Sequence, residues 1–376
     1  MSDVIAQIEG RIGCITLNRP KALNALSLDM VRSLIQALLA WQDNPQVLAV
    51  AVRGTGKEGP FGAFCAGGDI RFFHQAAHAG DAALGDFFTE EYRLNHLIHT
   101  YSKPYIAFMD GIVMGGGMGI SQGASVRVVT ERTKMAMPET NIGLFPDVGG
   151  GYFLSRCPGR LGEYLGLTGH MLGGAQAVAA KLADIALPSG MLEPIWQTLI
   201  SSPFENAESV ERWVLAQAGA MTPEKLTPQP QIDEVFGLPT IADMLNKLES
   251  ATDEWSQKTA HALRHRSPLM LHVVLEQIRR ARQMSLADDL RMERDMVHHC
   301  FHLRSVADSD TVEGIRALAV DKDHLPKWKP ARVEEVDASE VARFFVSPWP
   351  SDHHPLRDLF CVWCPAAVGH SLAACA

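Results

Sequence analysis

Hydrophobic and polar residues alternate through residues 4–17, on both sides of a turn centred on Gly10. Strict alternation is the pattern of a half-buried strand, so this segment predicts a β-hairpin. The pattern then changes, because residues 28–41 place their apolar side chains at helical spacing directly after Ser27. Serine is a favoured N-cap residue, and we therefore expect a helix to begin after Ser27.

Short apolar runs and helical segments continue to alternate as far as residue 187. Buried strands are predicted at residues 47–52 and 105–109, and short strands at residues 126–129 and 134–137. Helices are predicted at residues 86–101, 116–123, 149–157 and 160–167. This order of elements favours an α/β architecture of packed layers.

The pattern changes again after Pro188, where strand signals become rare. Further helices are predicted at residues 191–200, 209–218, 241–249, 267–283 and 286–303. The polar, Pro-rich stretch at residues 222–239 is interpreted as a loop or linker. We therefore divide the chain into an α/β core at residues 1–190 and a mostly helical region at residues 191–376.

The composition is that of an ordinary globular enzyme, with 47% hydrophobic and 20% charged residues. The formal net charge is −9 and no dense basic block is present, which argues against binding of nucleic acid. No stretch reaches the length of a membrane span without charges or helix breakers, so no membrane partner is expected. Residues 1–10 lack the pattern of a signal or transit peptide, which predicts a cytoplasmic protein.

Seven cysteines in a chain of 376 residues do not indicate a disulfide framework. Cys361 and Cys364 have C-x-x-C spacing, which would fit half of a zinc site or a redox pair. The sequence holds no second pair of this kind. A chance pair in an irregular tail is therefore the preferred interpretation, and we expect no metal.

Two glycine-rich turns, at residues 67–68 and 115–117, are candidate oxyanion sites. Because glycine has no side chain, the N–H groups of Gly68 and Gly116 could face a developing oxyanion without obstruction. Ordinary turns and close helix–strand packing would also account for such glycines. The turns alone therefore leave both interpretations open.

Two carboxylates, Glu139 and Asp147, lie in a segment that is otherwise rich in apolar residues, glycine and proline. Carboxylates in such a setting are suited to acid–base or nucleophilic work. Each also has a simpler interpretation: Glu139 as a surface residue or a residue near a helix N-cap, and Asp147 as the N-cap of a helix that begins near Gly149. Together with two backbone donors, the pair would supply the groups for acyl chemistry on a carbonyl.

Taken together, four segments resemble the crotonase (enoyl-CoA hydratase/isomerase) superfamily. They are NRPKALNAL at residues 18–26, FCAGGD at 64–69, DGIVMGGG at 110–117 and the run at 137–151. The resemblance covers most of residues 1–190. It implies a crotonase-like core of ββα units wound into a superhelix, which binds acyl-CoA and catalyses the reaction.

In this superfamily, two backbone amides hold the thioester oxygen, and by position these fall on Gly68 and Gly116. The resemblance also implies a CoA-binding surface that includes Lys21, Ala22, Asn24 and Ala66. No cofactor is expected, since CoA is part of the substrate. Assembly of the family through trimers implies a homo-oligomer, although the helical region could instead fold over its own core.

The chain departs from the hydratases of the superfamily at two positions. Hydratases carry a glutamate where this chain has Gly119, and a glycine where it has Asp147. Their second glutamate corresponds to Glu139. A Glu139–Asp147 pair thus replaces the pair of glutamates, which argues against syn addition of water to a double bond.

The altered pattern resembles the 3-hydroxyisobutyryl-CoA hydrolases. Their signature is present as PET at residues 138–140 and GLFPDVGGGYFL at residues 143–154. In that group, an acidic residue placed at the substrate corresponds to Glu91, which would otherwise be interpreted as a surface residue of a helix. Segments at residues 313–317, 321–323 and 326–328 extend the resemblance into the helical region.

These features predict a hydrolase of a short β-hydroxyacyl-CoA thioester, with 3-hydroxyisobutyryl-CoA of valine degradation as the preferred substrate. Glu139 would attack the carbonyl or activate water, while Asp147 would bind the substrate hydroxyl, orient water or share a proton with Glu139. Two rival functions remain: a hydratase or isomerase of the same superfamily, and a non-catalytic acyl-CoA-binding protein. Gly119 disfavours the first, and the intact carboxylates disfavour the second.

Overall fold

The structure, a computed structural model, describes residues 2–218 and 229–360. Its strands are β1 (Val4–Glu9), β2 (Ile12–Leu17), β3 (Ala49–Gly56), β4 (Gly59–Pro60), β5 (Tyr105–Met109), β6 (Ile112–Met114), β7 (Val126–Val129), β8 (Lys134–Ala136), β9 (Leu172–Gly173) and β10 (Ile185–Ala186). Strands and helices alternate through this part of the chain, which confirms the predicted α/β class.

The helices of the first half lie between these strands and just after them. They are α1 (Leu28–Gln42), α2 (Ile70–Ala79), α3 (Ala83–His99), α4 (Gly116–Gln122), α5 (Gly150–Ser155), α6 (Leu161–Thr168), α7 (Gly174–Ala179), α8 (Leu192–Ser201) and α9 (Ala207–Leu215). The Ser27 hydroxyl accepts a hydrogen bond from the Met30 N–H at 3.3 Å, so the predicted N-cap of α1 is confirmed.

The helices of the second half are α10 (Gln229–Phe236), α11 (Ile241–Ser250), α12 (Glu254–Arg264), α13 (Pro268–Ala281), α14 (Leu286–His302), α15 (Asp310–Ile315) and α16 (Ala338–Arg343). The prediction of a loop at residues 222–239 was wrong where α10 lies. Ile232, Val235 and Phe236 bury one face of that helix. Pro230 misled the prediction, although proline is tolerated in the first turn of a helix, where its missing N–H costs no hydrogen bond.

One mixed sheet forms the centre of the first half. Its strands lie in the order β1, β2, β3, β5, β7 and β10, with β4 paired to the end of β3. β1 is antiparallel to β2, as the predicted hairpin requires, and every later pair along that order is parallel. Parallel neighbours need long crossovers, and α1 and α3 belong to two of them.

A second sheet contains β6, β8 and β9. β6 is parallel to β8, with Val113 opposite Met135, and β8 is antiparallel to β9. β6 has only three residues, which is too short for alternation to reveal it. Because it directly precedes the glycines at residues 115–117, this small sheet fixes the place of the second glycine turn.

The helical region packs directly on the α/β core. α13 lies against α5 and α6, while α14 lies against α3 and α5. Buried apolar residues from Val4 to Leu359 form one continuous cluster across these contacts. The division near residue 190 stays a prediction, and side chains from both sides of it share this apolar cluster.

Two further expectations from the sequence concern the C-terminal cysteine pair and membrane-spanning helices. Cys361 and Cys364 lie outside the described residues, so their interpretation as a chance pair stays a prediction. Within residues 2–218 and 229–360, none of the helices combines the length and the apolar character that a membrane crossing needs.

Candidate active site

A cavity of about 180 Å³ lies where the two glycine turns meet. Of the predicted site residues, it brings together Ala66, Gly68, Glu91, Gly116, Glu139 and Asp147. Most of the remaining wall is apolar and includes Ile70, Phe73, Phe88, Met114, Ile142, Leu144 and Leu318. A concave, mostly apolar place with a few convergent polar groups is typical of a ligand site.

Backbone hydrogen bonds hold the first glycine turn in place. The Leu26 N–H donates to Gly67 O at 2.8 Å, and the Met114 N–H donates to Cys65 O at 3.0 Å. Gly67 has a φ of +106°, a conformation that residues with a Cβ rarely adopt. A Cβ there would lie 3.6 Å from Gly116 N, so the two turns pack backbone against backbone.

The N–H groups of Gly68 and Gly116 border the cavity without an acceptor of their own. Gly116 is the first residue of α4, where helix geometry leaves the N–H without an intrahelical partner. Among the described residues, no backbone carbonyl accepts a hydrogen bond from the Gly68 N–H. Two free donors beside one cavity are what stabilisation of a tetrahedral oxyanion requires.

Glu139 begins a short 3₁₀ turn, Glu139–Ile142, at the end of the cavity nearest the second glycine turn. A Cβ on Gly115 would lie 2.9 Å from Glu139 Oε1, so the carboxyl group rests against the backbone of that turn. The residue is only 6% exposed, and its Oε2 has no hydrogen-bond partner within residues 2–218 and 229–360. Burial raises the pKa of Glu139 well above its ordinary value, and the charge of Asp147 adds to this effect.

Asp147 is also 6% exposed, and its Oδ2 accepts a hydrogen bond from the Tyr92 hydroxyl at 3.0 Å. Burial raises the pKa of Asp147 to about 7, while the hydrogen bond from Tyr92 opposes this rise. The N-cap of α5 is Gly149, without a side-chain hydrogen bond, so the alternative interpretation of Asp147 as a helix cap is wrong.

Glu91 lies on α3 and points into the protein. It is 2% exposed, so its default interpretation as a surface residue is wrong. A Cβ on Gly116 would lie 2.4 Å from Glu91 Oε1, which leaves room only for a hydrogen at that glycine. Burial raises the pKa of Glu91 well above its usual range, and the charges of Asp147 and Glu139 raise it further.

The three carboxyl groups therefore form one titrating cluster, made of Glu91, Glu139 and Asp147. Each member is buried, and like charges at close quarters disfavour simultaneous ionisation. Protons leave such a cluster in steps that belong to the group rather than to single residues. At neutral pH the cluster keeps part of its protons and can both accept and donate them.

Gly119, where hydratases carry a glutamate, has no space for a larger side chain. A Cβ there would lie 2.7 Å from Val148 Cβ and 2.9 Å from Asn95 Nδ2. Real Cβ atoms essentially never lie this close to another heavy atom, so a side chain at this position would displace Val148 or Asn95. Val148 thus fills the space beside Gly119, and the preceding residue, Asp147, places its carboxyl group in the cavity with Glu139.

Three predicted substrate-binding residues, Lys21, Ala22 and Asn24, are not among those that line the cavity. Lys21 and Ala22 lie in a 3₁₀ turn, and Lys21 is exposed. Asn24 is fully buried, and its Nδ2 lies within hydrogen-bond distance of the carbonyls of Thr55, Ala63 and Phe64. Its side chain ties loops of the protein together, which holds the turn beside the cavity wall.

Sequence reasoning missed three residues that support the site: Tyr92, Gln277 and Glu293. The N–H groups of Gly149 and Gly151 donate to the Glu293 carboxylate at 2.7 and 3.0 Å. A signal for Glu293 existed in the sequence, because it falls on the buried face of α14. An acidic residue on the apolar face of a helix needs buried donors, and these can come from a distant part of the chain.

Comparison with known proteins places the chain among CoA-ester enzymes. The profile of the enoyl-CoA hydratase/isomerase family matches residues 12–345. The mitochondrial 3-hydroxyisobutyryl-CoA hydrolase of Gallus gallus is 39% identical over 351 residues, which cover 92% of this chain and 89% of that protein. The 3-hydroxyisobutyryl-CoA hydrolase 1 of Arabidopsis thaliana is 40% identical over 352 residues, which cover 92% and 91%.

Two solved structures resemble the fold over nearly its whole length. A carnitinyl-CoA dehydratase from Mycobacterium thermoresistibile has a TM-score of 0.85 at 39% identity and covers 95% of this chain and 99% of its own. An enoyl-CoA hydratase from Rhodobacter sphaeroides has a TM-score of 0.83 at 37% identity, with 92% and 98% covered. The similarity extends through the helical region as well as the α/β half.

Proposed function

Since the chain belongs to the enoyl-CoA hydratase/isomerase family, with the crotonase fold and a mostly helical C-terminal region, we propose that it hydrolyses a short β-hydroxyacyl-CoA thioester. One observation carries the proposal: Glu139 and Asp147 line the same small cavity as the free N–H groups of Gly68 and Gly116. We take 3-hydroxyisobutyryl-CoA as the substrate, since the chicken and Arabidopsis relatives are named for its hydrolysis.

The two glycine N–H groups are the electrophilic part of the proposed mechanism. The thioester oxygen accepts hydrogen bonds from Gly68 and Gly116 and becomes more negative as the acyl carbon is attacked. Loss of one such donor typically costs about 3 kcal/mol of transition-state stabilisation. The apolar wall excludes water, which strengthens both hydrogen bonds.

Glu139 acts on the acyl carbon by one of two routes. On the covalent route its carboxylate bonds to that carbon, the C–S bond breaks, and water then hydrolyses the mixed anhydride. On the direct route it removes a proton from water as the water oxygen bonds to the carbon; the C–S bond then breaks and the departing thiolate takes up that proton. We favour the covalent route, because a carboxylate beside a polarised thioester needs no ordered water to begin.

The carboxyl cluster supplies the protons for the covalent route. The mechanism starts with the charge on Asp147, whose pKa burial raises to about 7 and whose ionised form accepts the hydrogen bond from Tyr92. Transfer of the Glu139 proton to Asp147 then gives an ionised nucleophile while the cluster keeps the same total charge. Asp147 passes this proton to the departing thiolate and takes another from the water that opens the anhydride, which gives protonated Glu139 and the product carboxylate. Release of the Asp147 proton to solvent with the product then restores the starting charge of the cluster.

The β-hydroxyl group of the substrate would be recognised by the remaining carboxyl, Glu91. Its Oε1 has no hydrogen-bond partner in the part of the chain that the structure describes. A buried carboxyl oxygen of this kind is costly unless a ligand group bonds to it. The small cavity volume fits a short acyl chain, and exposed Lys21 is proposed to contact the CoA outside it.

A hydratase activity is the second candidate, because the two similar solved structures described above are a carnitinyl-CoA dehydratase and an enoyl-CoA hydratase. Gly119 argues against it, since Val148 and Asn95 fill the place of a second glutamate. The two functions give different products from different substrates. A hydrolase releases a free thiol from a saturated hydroxyacyl-CoA, whereas a hydratase consumes the conjugated double bond of an enoyl-CoA.

The deciding experiment compares thiol release from 3-hydroxyisobutyryl-CoA, 3-hydroxypropionyl-CoA and butyryl-CoA with the loss of absorbance of crotonyl-CoA. We expect rapid thiol release that depends on the β-hydroxyl group, and little change with crotonyl-CoA. Hydration of crotonyl-CoA at a rate comparable with thiol release would support the hydratase instead. If none of these substrates releases thiol, the hydrolase proposal is wrong, and acyl-CoA binding without hydrolysis remains as the function.

A single turnover in heavy-oxygen water, with enzyme in excess, separates the two routes. Opening of the anhydride at the enzyme carbonyl leaves the label in Glu139. We expect label in the Glu139 peptide, measured by mass spectrometry after digestion. Label confined to the product would favour direct attack by water or opening of the anhydride at the acyl carbon.

A further inference from the structure

Two helices of the helical region hold the loop that carries Asp147. From α14, the Glu293 carboxylate accepts hydrogen bonds from the N–H groups of Gly149 at 2.7 Å and Gly151 at 3.0 Å. Both bonded N–H groups lie within four residues of Asp147. The loop is therefore attached to a helix more than 140 positions further along the chain.

α13 completes this attachment from the other side of the loop. Gln277 Nε2 donates to Pro146 O at 2.7 Å and to Glu293 Oε1 at 3.0 Å. Gln277 and Glu293 are both fully buried. The backbone is thus held directly before Asp147 and again two and four residues after it.

Between these attachments lies Val148, with a φ of +59°. A β-branched residue in the left-handed region is strained and persists only where its surroundings impose it. The Val148 side chain packs against Gly119. The conformation that directs Asp147 towards Tyr92 therefore depends on contacts from outside the loop.

We propose that Glu293 is a positioning residue for Asp147: together with Gln277 it imposes the strained Val148 turn and so fixes the Asp147 carboxyl in the cavity. This inference rests on the proposed hydrolase function. Glu293 does not line the cavity and acts through the loop backbone.

Both oxygens of the Glu293 side chain accept hydrogen bonds, while burial, together with the charge of Asp289, raises the pKa of this carboxyl well above its ordinary value. Glu293 receives three N–H groups, two from the backbone and one from Gln277. A glutamine at this position would turn its own NH₂ group towards one of these donors. Two like donors facing each other would push the turn away, and a buried N–H would lose its partner.

The first test measures thiol release from 3-hydroxyisobutyryl-CoA by Glu293→Gln. We expect kcat to fall by about tenfold to a hundredfold, the effect of a misplacement of about 1 Å, while KM changes little. Glu163→Gln is the matched control, because Glu163 is fully buried and bonded to Arg160 and Arg282 away from the cavity. It should lower the Tm without this fall in kcat.

The second test repeats Glu293→Gln in an Asp147→Asn background. If Glu293 acts only through Asp147, the double variant should be no slower than Asp147→Asn alone, within about twofold. Losses that multiply would overturn the proposal, as would a folded Glu293→Gln enzyme with the kcat of the wild type. If Glu293 only supported the fold in general, the kcat losses of the two single variants would multiply in the double variant.

Gln277→Met keeps the test decisive if Glu293→Gln does not fold. It removes the bond to Pro146 O with a side chain of similar length and should show the same fall in kcat. Combined with Asp147→Asn, it should be no slower than Asp147→Asn alone. Normal kcat in this variant would contradict the proposal. Absence of thiol release in the wild-type enzyme would instead refute the hydrolase function itself, so the two failures are distinguishable.

Discussion

The Tyr92 hydroxyl donates a hydrogen bond to Asp147 Oδ2 at 3.0 Å inside a site built from three buried carboxyl groups. Tyr92 follows Glu91 on α3, so one turn of helix supplies both a member of the carboxyl cluster and the donor that stabilises another. The hydrogen bond favours ionised Asp147 and opposes the effect of burial on its pKa. It thereby favours a negative charge on Asp147.

Tyr92→Phe removes this donor and should raise the pKa of Asp147 above about 7, because only a backbone hydrogen bond then opposes the effect of burial. The proposed mechanism needs the cluster to have lost a proton, so the rising limb of kcat/KM against pH should move to higher pH. The measurement is a pH–rate profile of thiol release for both enzymes. An unchanged limb would show that Asp147 does not control it.

Glu139→Gln should lower kcat by about 100-fold to 10,000-fold, since a nucleophile or general base is removed. Binding of an acyl-CoA should persist, because the glycine turns and the apolar wall are unchanged. Thiol release and calorimetric titration with a non-hydrolysed acyl-CoA analogue measure the two quantities. Retention of more than about a tenth of the wild-type kcat would exclude a central role for Glu139.

Gly116→Pro removes one proposed oxyanion donor at a position where a helix start tolerates proline. Because any Cβ at this position would lie 2.4 Å from Glu91 Oε1, the variant also displaces Glu91. Gly116→Ala is the matched control, since it adds the Cβ but keeps the N–H. We expect the proline variant to be slower than the alanine variant by about 100-fold to 1,000-fold. Equal rates in two folded variants would remove Gly116 from the oxyanion hole.

The wild-type enzyme should hydrate crotonyl-CoA at a negligible rate, because Gly119 leaves the site without the second hydratase glutamate. Gly119→Glu should not restore this activity, since Val148 and Asn95 occupy the space that the side chain would need. It should lower the Tm instead, as overpacking of a buried position costs about 1–3 kcal/mol. Absorbance of crotonyl-CoA and thermal unfolding measure the two effects.

Asp147→Asn should make the protein more stable at pH 8 than the wild type. The folded-state pKa of Asp147 is raised from 3.8 to about 7, so between these values the folded state binds more protons than the unfolded state. Stability of the wild type therefore falls as pH rises through this window, by as much as roughly 4 kcal/mol from this residue. The asparagine variant should lack that loss, with little advantage near pH 4 and a higher Tm above pH 7. A Tm difference that does not change with pH would contradict the raised pKa.

The elements that local pattern determines were predictable from the sequence. The alternation through residues 4–17 gave the hairpin, and Ser27 marked the start of α1 because an N-cap is a local signal. β6 and α10 were missed because contacts with distant parts of the chain determine them. β6 is held by its pairing with β8, and α10 by the burial of Ile232 and its neighbours, neither of which a short window contains.

In the candidate site, too, the motif residues were predictable, whereas the contacts between distant residues were not. Motif residues such as Glu139 and Gly116 were predicted to lie together, and the cavity contains both. The bond from Tyr92 to Asp147 joins positions 55 residues apart, and no periodicity or capping rule relates them. Whether Gly119 could be replaced likewise depended on Val148 and Asn95, which only the packed structure brings beside it.

The bonds from Glu293 to the turn at residues 149–151 join positions 142 and 144 residues apart. During synthesis, every signature residue of the site emerges from the ribosome long before α13 and α14 exist. A nascent chain that ends near residue 190 carries both glycine turns and all three carboxyl residues of the cavity, yet two N–H groups beside Asp147 still lack their acceptor. With Glu293 in the proposed positioning role, the active site is completed late in biogenesis, and we expect chain termination before residue 293 to leave Asp147 unaligned.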